Sequence, residues 1–289
     1  MRLAGVLLLA AVCACDRPAS SAASNVTSSA ASSGATGSVP PVTGQWIWSA
    51  RDSALLVERR VTIAAPLRAG VWIASINWRG NGPEGELATS LGRPLDATVG
   101  NDAELVIRLE DSFSAIWRAL PADSVAARLD ARLERVLAVA ERGGPPHTVQ
   151  LDYDAPVSRL AAYAALVQRL RAPGGALHGR SLWITSLVAH LGDPEYGARL
   201  RPHVDGHIVQ LFDTGDRYTP DRAREVLALV SRAGLPFRVG VGAFERRLAS
   251  GPTSHRAWFE VLPSAAQSPW YRGVWIFPGG VDYQTYLPR

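Results

Sequence analysis

Residues 148–154 read Thr-Val-Gln-Leu-Asp-Tyr-Asp, a short hydrophobic strand that ends in two carboxylates. Side chains alternate between the two faces of a strand, so Gln150, Asp152 and Asp154 share one face. A strand inside a parallel α/β sheet is covered on both faces and is normally apolar throughout. A polar column that ends in acid therefore predicts a site at the carboxyl end of this strand.

Strands and amphipathic helices alternate around this segment. Helical spacing of apolar residues predicts helices at 122–142 and 160–170, and Thr219 followed by Pro220 is typical of the start of a third. The Gly- and Pro-bearing stretch 79–94 reads as a loop. Apolar, β-branched or aromatic runs predict seven further strands, at 44–49, 70–78, 104–111, 181–188, 207–212, 237–244 and 273–277.

The repeat of strand, crossover helix and strand implies parallel pairing with right-handed connections. Eight such strands predict an α/β fold of the (β/α)8 TIM-barrel type, in which some elements can be irregular. The predicted barrel spans 44–289, about 245 residues, close to the roughly 250 that are typical of this architecture.

The region before the barrel predicts a targeting signal and a linker. Arg2 and an apolar run precede Val12-Cys13-Ala14-Cys15, which resembles a bacterial lipobox with a signal peptide at 1–14 and Cys15 as the lipidated residue. An ordinary signal peptide with incidental cysteines is the alternative. Residues 15–43 are rich in Ser and Ala, which predicts a disordered tether. We therefore expect a cell-membrane protein that faces the periplasm or the cell exterior.

Charge and composition exclude several function classes. The net charge is +4, but the arginines are interleaved with acids and form no basic stripe, which argues against nucleic-acid binding. The sequence contains no phosphate-binding loop and no Gly-x-Ser-x-Gly motif.

Pro202 and Gly206 interrupt the helix that would place His203 and His207 on one face, so we expect no metal site. We also expect no cofactor and a monomer.

The carboxyl ends of the predicted strands carry acids, amides and indoles, and in a barrel these ends form the functional face. Flat rings with a polar edge suit the faces of sugar rings, while carboxylates and amides suit hydroxyl groups. A carbohydrate or a cell-envelope polymer is thus the expected partner. The candidate substrate-binding residues are Trp48, Asn77, Trp78, Glu110, Gln150, Gln210, Phe212 and Trp275, and the candidate catalytic residues are Asp152, Asp154, Asp213 and Glu245.

Several strings resemble a known family. The strings are Val-Gln-Leu-Asp-Tyr-Asp-Ala-Pro at 149–156, Ser-Leu-Trp-Ile-Thr-Ser-Leu at 181–187 and Ile-Val-Gln-Leu-Phe at 208–212. Together they resemble the bacterial lipoprotein family called domain of unknown function 3142, over 44–289. This resemblance implies a glycoside-hydrolase-like barrel without an established reaction.

A more distant similarity is to chitinase-type barrels, whose fourth strand reads Asp-Gly-x-Asp-x-Asp-x-Glu. In this alignment His147 and Gln150 replace the first two acids, Asp152 keeps the third, and Asp154 replaces the terminal Glu that acts as general acid. Phe212 stands where those enzymes have the Tyr of a Tyr-Asp pair. These departures argue against substrate-assisted chitin hydrolysis.

The aspartate pair still suggests a mechanism. Two nearby carboxylates in a partly buried site disfavour joint ionisation, which raises the pKa of one and produces a neutral acid. On this hypothesis Asp154 is the acid and Asp152 its modulator, with Asp213, Glu245 or Glu110 as the second carboxylate. The separation of the two groups would decide between retention and inversion. Alternatively, Asp154 caps the next helix or pairs with an arginine such as Arg159.

Three functions remain open at this stage. The first is an envelope protein that binds and hydrolyses a carbohydrate, and the second is a non-catalytic protein that recognises a glycan. The third is a structural envelope lipoprotein. The sequence also does not decide whether 245–270 covers the mouth of the barrel.

Overall fold

A computed structural model describes residues 40–62, 66–96, 99–142, 144–212, 218–248 and 251–280, with the backbone alone at 245–248 and 251–257. The predicted signal peptide, Cys15 and Asp213 lie outside the described residues, and so does the side chain of Glu245. The domain boundaries at residues 14 and 43 stay predictions.

The described chain alternates strands and helices. The strands are β1 (Val42–Ile47), β2 (Arg68–Arg79), β3 (Glu86–Leu91), β4 (Glu104–Leu109), β5 (Val149–Tyr153), β6 (Leu182–Leu187), β7 (Gly206–Gln210), β8 (Phe237–Gly242), β9 (Glu245–Leu248), β10 (Gly251–Ser254) and β11 (Tyr271–Phe277). The helices are α1 (Ala50–Thr62), α2 (Ile116–Ala119), α3 (Ala122–Glu141), α4 (Leu160–Arg171), α5 (Tyr196–Leu200), α6 (Pro220–Ala233) and α7 (Leu262–Ala265). Single 3₁₀ segments are Asp111–Ala115, Val157–Arg159, Val188–Gly192 and His255–Val261.

Eight parallel strands close into a barrel, which confirms the predicted (β/α)8 fold. The order around the barrel is β1, β2, β4, β5, β6, β7, β8 and β11, and β1 pairs with both β2 and β11. All of these pairings are parallel. Closure of the sheet puts the carboxyl ends of all eight strands at one mouth, so side chains that are distant in sequence meet there.

Side chains alternate between the outer and inner faces of the strands, and this divides the core into two parts. Outward-facing residues such as Leu151 and Tyr153 pack under the helices in one large apolar cluster. Inward-facing residues form a second, smaller cluster inside the barrel, and its members are Trp46, Val106, Trp183, Ile208 and Trp275. Gly240 makes room for this filling, because a Cβ there would lie 2.9 Å from the Trp46 ring. The interior is therefore packed largely by indole rings.

The predicted loop at 79–94 is wrong in part, because it contains β3. This strand pairs antiparallel with β2 outside the barrel, with Glu86 opposite Arg79 and Leu91 opposite Ala74. Leu87 is buried, but its neighbours in β3 are half-buried or exposed. Burial of a single residue gives β3 only a weak apolar pattern in the sequence. This pattern does not predict a strand unless the pairing with β2 is known.

The helix start predicted at Thr219 is confirmed. The Thr219 hydroxyl accepts a hydrogen bond from the Arg222 backbone N–H at 3.1 Å, and Pro220 opens α6. Gly234 ends the helix with φ +59°, a left-handed conformation in which glycine has no Cβ penalty.

Candidate functional site

A pocket of about 150 Å³ lies at the mouth of the barrel, where β1, β4, β5, β6, β7, β8 and β11 end. Asp152 of β5 and Asp154, which directly follows this strand, both line it. The other lining residues are Trp46, Trp48, Val106, Arg108, Thr185, Gln210, Phe212, Phe244 and Phe277. The predicted meeting of acids, an amide and aromatic rings at one mouth is therefore present in the structure.

Asp152 is fixed at the base of this pocket. Its side chain is buried, and Oδ1 accepts hydrogen bonds from the Thr185 hydroxyl at 2.8 Å and from Gln210 Nε2 at 3.2 Å. Oδ2 accepts from Arg108 Nη1 at 3.1 Å. Burial raises the pKa of Asp152, although the ion pair with Arg108 and the two hydrogen bonds act in the opposite direction. Asp152 is thus a rigid carboxyl group that holds a proton more readily than a free aspartate.

Arg108 connects three carboxylates at the mouth. Besides Asp152, its guanidinium reaches Glu110 Oε2 through Nε at 3.3 Å and Asp154 Oδ2 through Nη2 at 3.8 Å. Burial acts to lower the pKa of Arg108, but the negative charges of Asp152, Asp154 and Glu110 outweigh it and raise that pKa. A cation therefore compensates the acid pair, which weakens the repulsion that the sequence-based mechanism requires.

Asp154 is the more accessible of the two aspartates, with 27% of its side chain exposed. The alternative that it pairs with an arginine holds in the structure, where Arg108 is a partner. Glu110 forms an ion pair with the same guanidinium, but it does not line the pocket.

Aromatic rings also line the pocket. Phe212 and Phe277 are stacked with centroids 5.6 Å apart, and Phe244 meets Phe277 edge-on at 5.5 Å. Trp48 stacks on Trp72 at 5.3 Å, and the Arg108 guanidinium lies 5.8 Å from the Trp48 ring. The pocket lining thus combines charged and hydrogen-bonding groups with flat apolar rings.

Gln150 lies deeper in the barrel than the pocket. Its Oε1 accepts a hydrogen bond from Trp46 Nε1 at 2.7 Å, and its Nε2 donates to Glu104 Oε2 at 2.8 Å. Gln150 is two residues before Asp152 on the same face, about 6.6 Å further from the mouth. It therefore fixes the indole of Trp46, which does line the pocket.

Three other predicted binding residues also lie away from this pocket. Trp275 is buried in the barrel interior next to Trp46, with ring centroids 5.6 Å apart. Trp78 is buried on the outside of the barrel, where the Arg128 guanidinium lies 5.7 Å from its ring. Asn77 is half-buried on β2, with no hydrogen-bond partner among the described residues for its Oδ1. Trp48, Gln210 and Phe212 do line the pocket.

Sequence reasoning missed several residues of the site. Arg108 is the second-to-last residue of β4, and its partners depend on the neighbouring strand. Trp46, Phe244 and Phe277 belong to apolar runs that are typical of core strands. Trp46 lies in β1, two residues before Trp48, which follows directly after the strand. This spacing of two along an extended chain is the sequence signal that could have identified Trp46.

Comparison with known proteins supports the barrel. No protein-family model matches this sequence, and no curated protein matches it. A family 18 chitinase from Crocus vernus superposes with a TM-score of 0.52 at 12% identity, over 85% of this chain and 95% of that one. A xylanase-α-amylase inhibitor protein, determined in complex with trehalose, gives 0.52 at 13% identity, also over 85% and 95%. A spore cortex-lytic enzyme of Bacillus megaterium gives 0.50 at 9% identity, over 85% and 73%.

The chain shares the (β/α)8 barrel fold of these solved structures. At these identities the likeness concerns the fold alone. Membership in the lipoprotein family called domain of unknown function 3142 stays a prediction.

Among the described residues, no group of three or more His, Cys, Asp or Glu residues is arranged to hold a metal ion. In the same part of the chain, every helix is too short or too polar to cross a membrane.

Proposed function

We propose that this protein binds a carbohydrate in the pocket at the barrel mouth. The observation that carries the proposal is that one cavity is lined both by Asp152 and Asp154 and by a group of aromatic rings. Carboxylates accept hydrogen bonds from sugar hydroxyls, and the faces of Trp and Phe rings pack against the apolar face of a sugar ring. At about 150 Å³ the cavity is smaller than the roughly 300–1,000 Å³ of pockets for drug-sized ligands, so it suits a single sugar ring.

The solved structures of similar fold support a carbohydrate ligand. One of them is a chitinase, and another was determined in complex with trehalose. On this proposal Asp154, the more exposed acid, contacts the sugar directly. Asp152 is held by Arg108, Thr185 and Gln210, and it shapes the polar side of the pocket.

Hydrolysis of a glycosidic bond is the second candidate function. It is favoured by the raised pKa of Asp152, because a carboxyl group that retains a proton can donate it to a leaving oxygen. The contact between Arg108 and both aspartates disfavours it, because the cation stabilises the ionised forms. We therefore rank binding above catalysis.

Binding and turnover by matched variants test both functions. The wild type, Asp154→Asn, Trp48→Ala, Asp152→Asn and the control Asp221→Asn are titrated with a panel of oligosaccharides, and release of reducing ends is followed in parallel. Asp221 is exposed on α6 and is not among the residues that line the pocket. We expect the first two variants to lose binding at least about tenfold and the control to keep it.

The outcomes separate the candidates. Turnover by the wild type that Asp152→Asn abolishes while binding persists would establish the hydrolase. Binding without turnover in every protein supports the recognition function. No binding to any glycan by the wild type would contradict both and leave a structural role in the envelope.

We also propose that the barrel is held at the outer surface of a membrane by a lipid at Cys15. The support is the apolar run that leads into Val12-Cys13-Ala14-Cys15 and the Ser/Ala-rich segment after it. Expression of the full chain in a bacterial host with labelled palmitate tests this. Label and membrane association should both be lost in Cys15→Ser and retained in Cys13→Ser. An unlabelled, secreted wild type would contradict the anchor.

A further inference from the structure

A second cavity opens at the opposite end of the barrel, where the amino ends of the strands meet. Its volume is about 490 Å³, within the usual range for ligand pockets. We call it the floor cavity, and the lining residues that matter for its chemistry are Arg68, Trp183, Asp205, Arg238, Arg272 and Trp275. It shares none of its lining with the pocket at the mouth.

Arg238 is the central group of the floor cavity. It is 5% exposed, and its guanidinium lies 3.6 Å from the Trp183 ring centroid and 5.0 Å from that of Trp275. Its Nη1 donates to Glu104 Oε2 at 2.7 Å, which is the one hydrogen bond that the described residues give it. A guanidinium carries five N–H donors in a planar fork. Most of the hydrogen-bonding capacity of a buried cation therefore remains available at the wall of a cavity.

Two further arginines flank this group. Arg68 is 55% exposed, and its Nη1 lies 3.4 Å from Glu104 Oε1. Arg272 donates to the backbone carbonyls of Pro269 at 2.8 Å and Tyr271 at 2.7 Å, and it has no ion pair with a described residue. Glu104 thus forms ion pairs with both Arg68 and Arg238, while Arg272 has no carboxylate partner among the described residues.

The remaining acid of the floor cavity has other partners. Asp205 Oδ2 accepts a hydrogen bond from the Leu182 backbone N–H at 2.7 Å and lies 3.6 Å from Arg171 Nη2. Burial lowers the pKa of Arg238, and the charge of Glu104 offsets this only in part. The floor cavity therefore has more positive than negative charge on its walls.

We propose that the floor cavity binds a small anion with a carboxylate or phosphate group. The unused N–H groups of Arg238 hold two of its oxygens, because a planar guanidinium matches these groups in a bidentate manner. Arg68 and Arg272 add charge at the entrance, and the Trp183 ring gives the bound group a flat apolar neighbour. This site is independent of the proposed sugar pocket.

Calorimetric titration of the full chain tests the proposal. The wild type is titrated with sodium phosphate and with sodium succinate, each against sodium chloride at equal ionic strength. Arg68→Gln and Arg272→Gln remove the two peripheral cations. These side chains are more exposed than Arg238, whose replacement could unfold the barrel. Arg135→Gln is the control, since Arg135 is exposed on α3 and donates only to the Ala131 carbonyl.

We expect saturable binding of at least one anion, weakened about tenfold in Arg68→Gln or Arg272→Gln and unchanged in Arg135→Gln. A response to phosphate alone or to succinate alone identifies which group the site prefers, and a response to both indicates a general anion site. Heats that are indistinguishable from those of chloride would overturn the proposal, as would equal weakening in the Arg135→Gln control. Loss of sugar binding at the mouth would leave this result unaffected.

Discussion

Arg108 and Asp152 are direct cross-strand partners in the barrel wall, and their side chains form an ion pair inside the mouth. Their Cα atoms are in register between β4 and β5, and Arg108 Nη1 lies 3.1 Å from Asp152 Oδ2. The same guanidinium also contacts Asp154 and Glu110. The acids of the candidate site are therefore organised around one cation.

Replacement of Arg108 by Gln should destabilise the protein. The substitution leaves Asp152 as a buried carboxylate without its cation, so the free energy of unfolding should fall by roughly 1–3 kcal/mol. This loss is smaller than for a fully buried ion pair, because 31% of the Arg108 side chain is exposed to solvent. Urea unfolding measures the change. The double variant Arg108→Gln with Asp152→Asn should recover part of the loss, and strictly additive effects would argue against a coupled pair.

Thr185 should control the protonation of Asp152. Its hydroxyl donates to Asp152 Oδ1 and accepts from the Tyr153 backbone N–H at 3.1 Å, so Thr185→Val removes both bonds at nearly constant shape. We expect a further rise in the pKa of Asp152 and a loss of roughly 1–3 kcal/mol in stability. Carboxyl-carbon NMR titration and urea unfolding measure the two effects. Thr185→Ser should behave like the wild type, and an unchanged titration in Thr185→Val would refute this role.

His207 should make the fold sensitive to acid. Burial lowers the pKa of His207 to about 3, with a smaller contribution from His190, whereas an unfolded histidine titrates near 6.5. Between these values the unfolded chain binds a proton that the native chain does not. Stability is therefore fully present above about pH 6.5 and falls by about 1.4 kcal/mol per unit as the pH decreases through this window.

Comparison of two histidine variants isolates this effect. Urea unfolding at pH 7.5 and pH 5.0 should show a smaller pH-dependent loss in His207→Gln than in the wild type. His178→Gln is the control, because His178 is exposed and its ring bonds only the Arg171 carbonyl among the described residues. An equal loss in the wild type and His207→Gln would show that other groups cause the acid sensitivity.

Gly197 should be intolerant of any side chain. A Cβ at Gly197 would overlap the backbone carbonyl of Ala233, at the contact between α5 and α6. Backbone atoms cannot move aside as a side chain can, so Gly197→Ala should cost roughly 1–3 kcal/mol or more. Gly192→Ala is the matched control, since nothing lies within 4 Å of a Cβ there. Equal thermal midpoints for the two variants would contradict this prediction.

Part of the candidate site was predictable from local patterns. The placement of Asp152 and Asp154 on one face follows from strand alternation, and their position at a mouth follows from the barrel. Trp48, Gln210 and Phe212 were found by the same reasoning. Gln150 was assigned to the site on equal grounds, yet it lies one layer deeper and bonds Glu104 and Trp46.

The sequence by itself determined the repeat of strands and helices, the barrel and the face on which the aspartates lie. These features depend on local periodicity, caps and the short-range geometry of the backbone. The tertiary structure decided which residues on the inner face reach the mouth and which fill the interior, because depth depends on the register between neighbouring strands. Register also places Arg108 opposite Asp152. The sequence around a residue does not specify which residue lies opposite it on the neighbouring strand.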